Sequence, residues 1–105
     1  MNKLEFMHYR YFNIDMEMSS RGGATIAILP ADNNKVLVSI ARCNTTDVFN
    51  KKVGRAIASG RLIAYLNGRD SIANKVREVV INDPLRVKES VATALQEEMD
   101  AFGLY

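Results

Sequence analysis

"ATIAILPADNNKVLVSIARC", residues 24–43, holds two runs of β-branched and small apolar residues separated by a short polar break. Such runs, bounded by Pro30 and by the turn-forming "ADNN" at 31–34, read as two antiparallel strands joined by a tight connection. Alternation puts Val36, Val38 and Ile40 on one side of the second strand and Leu37, Ser39 and Ala41 on the other. Both runs are almost free of polar residues, so both faces are expected to be at least partly covered.

Upstream, residues 3–18 read as a further strand. Ile14, Met16 and Met18 alternate with Asp15 and Glu17 at its end. "SSRGG" at 19–23 is the expected hairpin turn, its glycines supplying positive φ. Downstream, "NTTD" at 44–47 offers Thr45 or Thr46 as the cap of a helix over 46–66, with Asp47 in its first turn and Asn67-Gly68 as its stop. A short helix over 71–77 is expected to run into an extended "EVVI". Asp83 and Pro84 then cap and open a last helix, whose Leu85, Val91, Ala92, Leu95, Met99 and Phe102 share a face down to Gly103. The result is an α+β domain over residues 1–105: an antiparallel sheet of three or four strands packed by two to three helices that cover one face.

A chain of 105 residues buries somewhat over ~60% of its unfolded surface, which suffices for one core. The composition, 48% apolar and 25% charged, is that of a folded protein. Cys43 is the only cysteine, which rules out an intrachain disulfide or a thiolate metal site. "MNKLEFMHYRYF" has no apolar leader core, and a cytoplasmic protein is expected.

The net charge of +2 conceals an asymmetry. Lys51, Lys52, Arg55, Arg61 and Arg69 follow one another with no acid between them, whereas residues 83–100 are dominated by acids. On the helix, Phe49, Val53, Ala56, Ile57, Gly60 and Ala64 form the face expected against the sheet, with Gly60 allowing close packing. Lys51, Lys52, Arg55 and Ser59 form the opposite wall, and Gly54 and Arg61 a third edge where a ligand or neighbouring chain can approach. Val48, Leu62 and Leu66 beside the cations point to a homo-oligomer, between dimer and hexamer. Copies of Lys51 and Arg55 brought together by symmetry would need an anion to be favourable.

Catalytic chemistry has few candidates. His8 is the only histidine and reads as an ordinary strand residue; Cys43 reads as a small apolar side chain. No Cys/His set or carboxylate cluster has metal-ligand spacing, and "SRGG" lacks the lysine-serine/threonine pair of a phosphate loop. Glu97, Glu98 and Asp100 cover an exposed helix side, and Tyr9, Tyr11 and Phe12 offer rings that can stack on a base, although aromatic residues in strands more often pack. Neither an enzyme nor a cofactor is expected.

The string "RGG-T-A…VLVSIARCNTTDVFNKKVGRAIASGRL", from Arg21 to Leu62, resembles small bacteriophage proteins in which a β-hairpin leads into a "D-x-F…K-x-x-G-R-x-I-A-x-G-R-L" helix. Within that group it looks most like the Thoeris anti-defence family, phage sponges that sequester nucleotide immune signals. The resemblance covers about two-fifths of the chain and implies an oligomer that binds cyclic ADP-ribose isomers, and in some cases cyclic oligonucleotides, without cleaving them. A pyrophosphate would be met by Arg55 and Lys51, with Arg61 there or between subunits. Arg21, Arg69, Asn82 and Arg86, near turns where polar groups converge, are further candidates for the nucleotide pocket. The alternative is a nucleic-acid-binding regulator that uses the basic helix 46–66, and a third reading is a purely structural subunit.

Overall fold

The computed structural model describes residues 4–12, 15–31, 34–68 and 75–102. Four strands, β1 (Glu5–Tyr9), β2 (Arg21–Pro30), β3 (Lys35–Val48) and β4 (Val76–Val80), form one antiparallel sheet in the order β1-β2-β3-β4. Three helices accompany it: α1 (Lys51–Leu66), α2 (Val87–Ala94) and α3 (Gln96–Phe102). The α+β class read from the sequence is the class observed.

The alternation within β2 and β3 divides the core in two. Ala24, Ile26, Ile28, Val36 and Val38 face Val91, Leu95 and Met99 of the α2–α3 segment, while Ala27, Leu37 and Ala41 face Ala58 and Leu62 of α1. The helices therefore cover both faces of the sheet, not one. This is why the two central strands are apolar on both sides.

Several local expectations are corrected. β1 is confined to Glu5–Tyr9, and the alternating residues after it are not a strand: Met16 has φ +62° and is exposed, and Phe12 pairs with Met18 only as an isolated bridge. The reversal falls before Ser19, whose N–H reaches the Tyr11 carbonyl at 2.8 Å. "SSRGG" instead enters β2. There Arg21 pairs with Val48 and Gly23 with Cys43, so residues 44–47 bulge out of β3 opposite Gly22. Gly22 has φ +74°, and a Cβ there would meet the Tyr11 ring at 2.6 Å.

Thr45 and Thr46 thus belong to β3, where the Asn44 carboxamide accepts from the Thr46 N–H at 3.1 Å. The cap of α1 is Asn50, whose side chain accepts from the Val53 N–H at 3.2 Å. Asp47 lies outside the helix. The Asn67-Gly68 stop is as read, with Gly68 at φ +81°. Arg77 is in β4 rather than a helix; residues 71–74 of that expected helix, together with Lys3, Ile14 and Gly103, lie outside the described residues, as does the Phe102 side chain. The single last helix expected from Pro84 is two, α2 from Val87 and α3 from Gln96, with Leu95 between them; α2 follows a turn in which Asp83 Oδ1 accepts from the Leu85 N–H, and Leu85 is left exposed. Among the described residues no helix is long and apolar enough to cross a membrane.

α1 is rotated relative to the face read from its sequence. Ala58 and Leu62 are its buried residues, with Gly54, Arg61 and Tyr65 beside them at intermediate exposure. Val53, Ala56, Ile57, Gly60 and Ile63 are exposed. The roles of the two glycines are exchanged: a Cβ on Gly54 would meet Thr25 Oγ1 at 2.2 Å, whereas one on Gly60 meets nothing within 4 Å.

Candidate functional site

β4 covers only the first part of β3, since pairing ends at Ser39 with Val76. Beyond it no strand among the described residues pairs with β3 on that side, and α1 supplies one contact: Arg61 Nη1 donates to the Ile40 carbonyl at 2.6 Å. Below this stretch of β3, on the α2–α3 face, lies a cavity of about 290 Å³ lined by Val38, Ile40, Arg42, Arg61, Lys75, Arg77 and Glu98.

Each element places its cation by simple geometry. Arg42 continues the Val38–Ile40 side of β3, and Arg77 stands opposite Val38 in the ladder, which puts it on that same face. Lys75 precedes β4 by one residue, and Arg61 reaches round from α1 on the other side of the sheet. Among the described residues, four basic side chains and one carboxylate line it. Glu98 is paired with Arg77 and ties α3 to β4. Bringing like charges together around a concave surface raises its potential and favours an anion, and arginine offers paired donors that match phosphate oxygens.

A second cluster lies at the β1 edge. His8 Nδ1 is 3.1 Å from the Thr25 hydroxyl, and the ring meets Phe49 edge-on with centroids 6.1 Å apart. The Arg10 guanidinium lies over the other reach of Phe49, 4.5 Å from its centroid, and donates to the Ser19 carbonyl at 2.8 Å. Burial and then the charges of Lys51, Arg55, Arg10 and Lys88 hold the His8 pKa below its usual 6.5. Among the described residues, Lys51, Lys52 and Arg55 form no ion pair. This cluster is spread on the surface rather than set around a cavity.

The residues singled out from the sequence are therefore dispersed. Lys51 and Arg55 share the β1-edge cluster, and Arg61 belongs to the cationic cavity. Arg21 donates to the Thr46 carbonyl at 2.6 Å and braces the bulge. Arg86 sits in the turn before α2 between Asp83 and Glu89, both within ion-pair range, and exposed Asn82 is at the same turn. That turn follows the end of β4 remote from Lys75. Arg69 lies outside the described residues. Sequence reading passed over Arg42, Lys75 and Arg77. Their one shared signal is alternation: Lys75 and Arg77 stand two apart, so they share a side once 75–80 is read as extended throughout.

A larger groove of about 490 Å³, between the bulged end of β3 and the first half of α1, is lined by Cys43, Val48, Phe49, Val53 and Ile57 among others. The half-buried Cys43 thiol lies 3.6 Å from the Asn44 and Asp47 carbonyls. Among the described residues no group of three or more His, Cys, Asp or Glu is placed to hold a metal ion. Comparison with known proteins finds no matching family model, no matching curated protein and no matching solved structure.

Proposed function

We propose that the protein binds a phosphate-bearing nucleotide in the cavity between β3, β4 and α3, and holds it without chemical change. The observation that carries this reading is the lining: Arg61, Lys75 and Arg77, with Arg42 beside them, and Glu98 as the carboxylate among the described lining residues. Small-molecule sites span roughly 300–1,000 Å³, so a cavity at the lower end takes a pyrophosphate and its adjoining sugar rather than a whole dinucleotide. Retention needs preorganised cations rather than a nucleophile and base, and each charge-assisted hydrogen bond contributes about 1.5–3 kcal/mol. This agrees with the resemblance to phage sponges and makes a cyclic ADP-ribose isomer or a cyclic oligonucleotide the first ligands to try. The host cytoplasm would be the place of action.

The unpaired Lys51, Lys52 and Arg55 favour a second reading, a nucleic-acid surface along α1 and the β1 edge. Calorimetric titration separates the two. The proposal expects saturable binding of a cyclic nucleotide, recovered unchanged by chromatography, with affinity at least tenfold lower in Lys75→Glu and unaltered in Lys51→Glu. Binding of oligonucleotides that is lost in Lys51→Glu, with a steep dependence on salt, would transfer the function to the second surface. Absence of heat with every nucleotide, in protein shown to be folded, would end the first reading.

A further inference from the structure

α1 turns its more apolar side away from the sheet. Val53 is 52% exposed, Ile57 46% and Ile63 55%, with Gly60 between them open to solvent. Val48, 63% exposed, adjoins Val53 and Ile57 across the groove beside α1. Monomeric proteins rarely leave a contiguous apolar patch of more than a few hundred Å² uncovered. We propose that α1 packs antiparallel against the α1 of a second copy, about a two-fold axis at Gly60.

Two features identify the occupant as another copy. The first is symmetry in the sequence of the exposed face: three residues either side of Gly60 are Ile57 and Ile63, and four residues either side are Ala56 and Ala64. In an isologous pair, residue i meets j and j meets i. Antiparallel helices crossing at Gly60 set Ile57 against Ile63 of the partner subunit and Ala56 against the partner's Ala64. Gly60, where a side chain would hold the axes apart, falls at the crossing. A partner of unrelated sequence would not require that palindrome.

The second feature is charge. Lys51 and Lys52 occupy the first turn of α1, beside the positive pole of its dipole; the first turn has no acid and the last turn no base. This is the unfavourable arrangement within one helix. In the antiparallel pair, Lys52 of each copy lies over the residues around Gly68 of the other, at the negative pole. The mismatch of one helix becomes the complementarity of two.

The test is the mass of the chain in solution, by light scattering over a range of concentrations, with two charge variants and a cross-link. The wild type is expected at twice the 11.7 kDa chain mass or a multiple of it. Ile57→Lys and Ile63→Glu, each folded by circular dichroism, lower that mass to half or less when alone. Mixed, they restore it, because Lys meets Glu at one contact and Ile meets Ile at the other. Independently, Gly60→Cys in a Cys43→Ser background forms a disulfide-linked dimer under mild oxidation. Lys52→Cys does not, since its copies stand about 24 Å apart at 1.5 Å per residue. A monomeric wild type, an assembly indifferent to Ile57→Lys, failure of the mixture to reassemble, or equal cross-linking from Lys52→Cys would each overturn the proposal.

Discussion

Gly54 of α1 rests directly on Thr25 of β2: a Cβ added to the glycine would lie 2.2 Å from the Thr25 hydroxyl oxygen and 2.9 Å from its Cβ. Thr25 is fully buried, and its hydroxyl is engaged by His8, so the side chain has nowhere to turn. Replacing a helical glycine by alanine ordinarily gains about 1 kcal/mol, whereas overpacking costs about 1–3 kcal/mol. Gly54→Ala is therefore expected to destabilise the chain by up to about 2 kcal/mol. Gly60→Ala, with nothing in its own chain within 4 Å of the added carbon, is expected to stabilise the unpaired chain by up to about 1 kcal/mol, measured in the Ile57→Lys background that prevents pairing through α1. Urea denaturation of the two variants side by side checks the opposite signs.

The same pair of glycines shows where the sequence can and cannot be read. β2 and β3 were legible because alternation in a strand assigns faces by parity alone, and Val36, Val38 and Ile40 separate from Leu37, Ser39 and Ala41 as alternation requires. The seat of α1 was not legible, because apolar content alone does not choose a helix's buried face where backbone approach is also at stake. Val53 and Ile57 outweigh Gly54 and Ala58 in apolar surface, yet the close approach that Gly54 permits decides the packing. The cationic cavity was hidden for another reason. Arg42 and Arg61 lie on β3 and α1, and Arg77 on β4 with Lys75 just before it; the register of β4 on β3 and the reach of Arg61 to the Ile40 carbonyl bring them together.

Helix initiation gives a second prediction. Asn50, not Thr45 or Thr46, accepts from an otherwise unpaired N–H at the start of α1. Asn50→Ala is expected to cost about 1 kcal/mol. Thr46→Ala, which leaves intact the backbone groups that bond to Asn44 and Arg21, should lie within about 0.5 kcal/mol of wild type, as an exposed substitution does. Equal losses in the two variants would return the cap to residues 45–46.

His8 gives a dependence on pH. Burial, reinforced by Lys51, Arg55, Arg10 and Lys88, lowers its folded-state pKa below the 6.5 of the free side chain. The unfolded chain thus takes up the proton first, and unfolding is favoured wherever it does so. The contribution is fully present above pH 6.5 and is lost as pH falls through and below that value. Burial of Tyr9 acts at the other extreme: its raised pKa means that the unfolded chain loses its proton first, so stability declines above about pH 10. Thermal melts of wild type and His8→Gln from pH 5 to 8 isolate the first effect, and the difference between the two is expected to shrink steadily below pH 6.5. A difference that does not vary with pH would remove His8 from the account.

Glu98 sets the sign of the last prediction, because it takes part in two interactions that the same substitution moves in opposite directions. Its carboxylate pairs with Arg77 across β4 and α3, and among the described residues it is the one acid lining a cavity with four basic side chains. A partly exposed ion pair contributes at most about 1 kcal/mol, so Glu98→Gln should lower the melting temperature only slightly. An incoming phosphate, however, must compete with that carboxylate for Arg77 and is repelled by it. Removing the charge while keeping the shape should raise affinity for a phosphate-bearing ligand by about three- to tenfold, the equivalent of about 0.7–1.4 kcal/mol. Titration of Glu98→Gln with pyrophosphate and with the best cyclic nucleotide measures this directly. Tighter binding in a slightly less stable protein is the combination expected of a carboxylate that guards an anion site. Weaker binding would mean that Glu98 positions Arg77 for the ligand, and the cavity would then work through that pair rather than through the net charge of its lining.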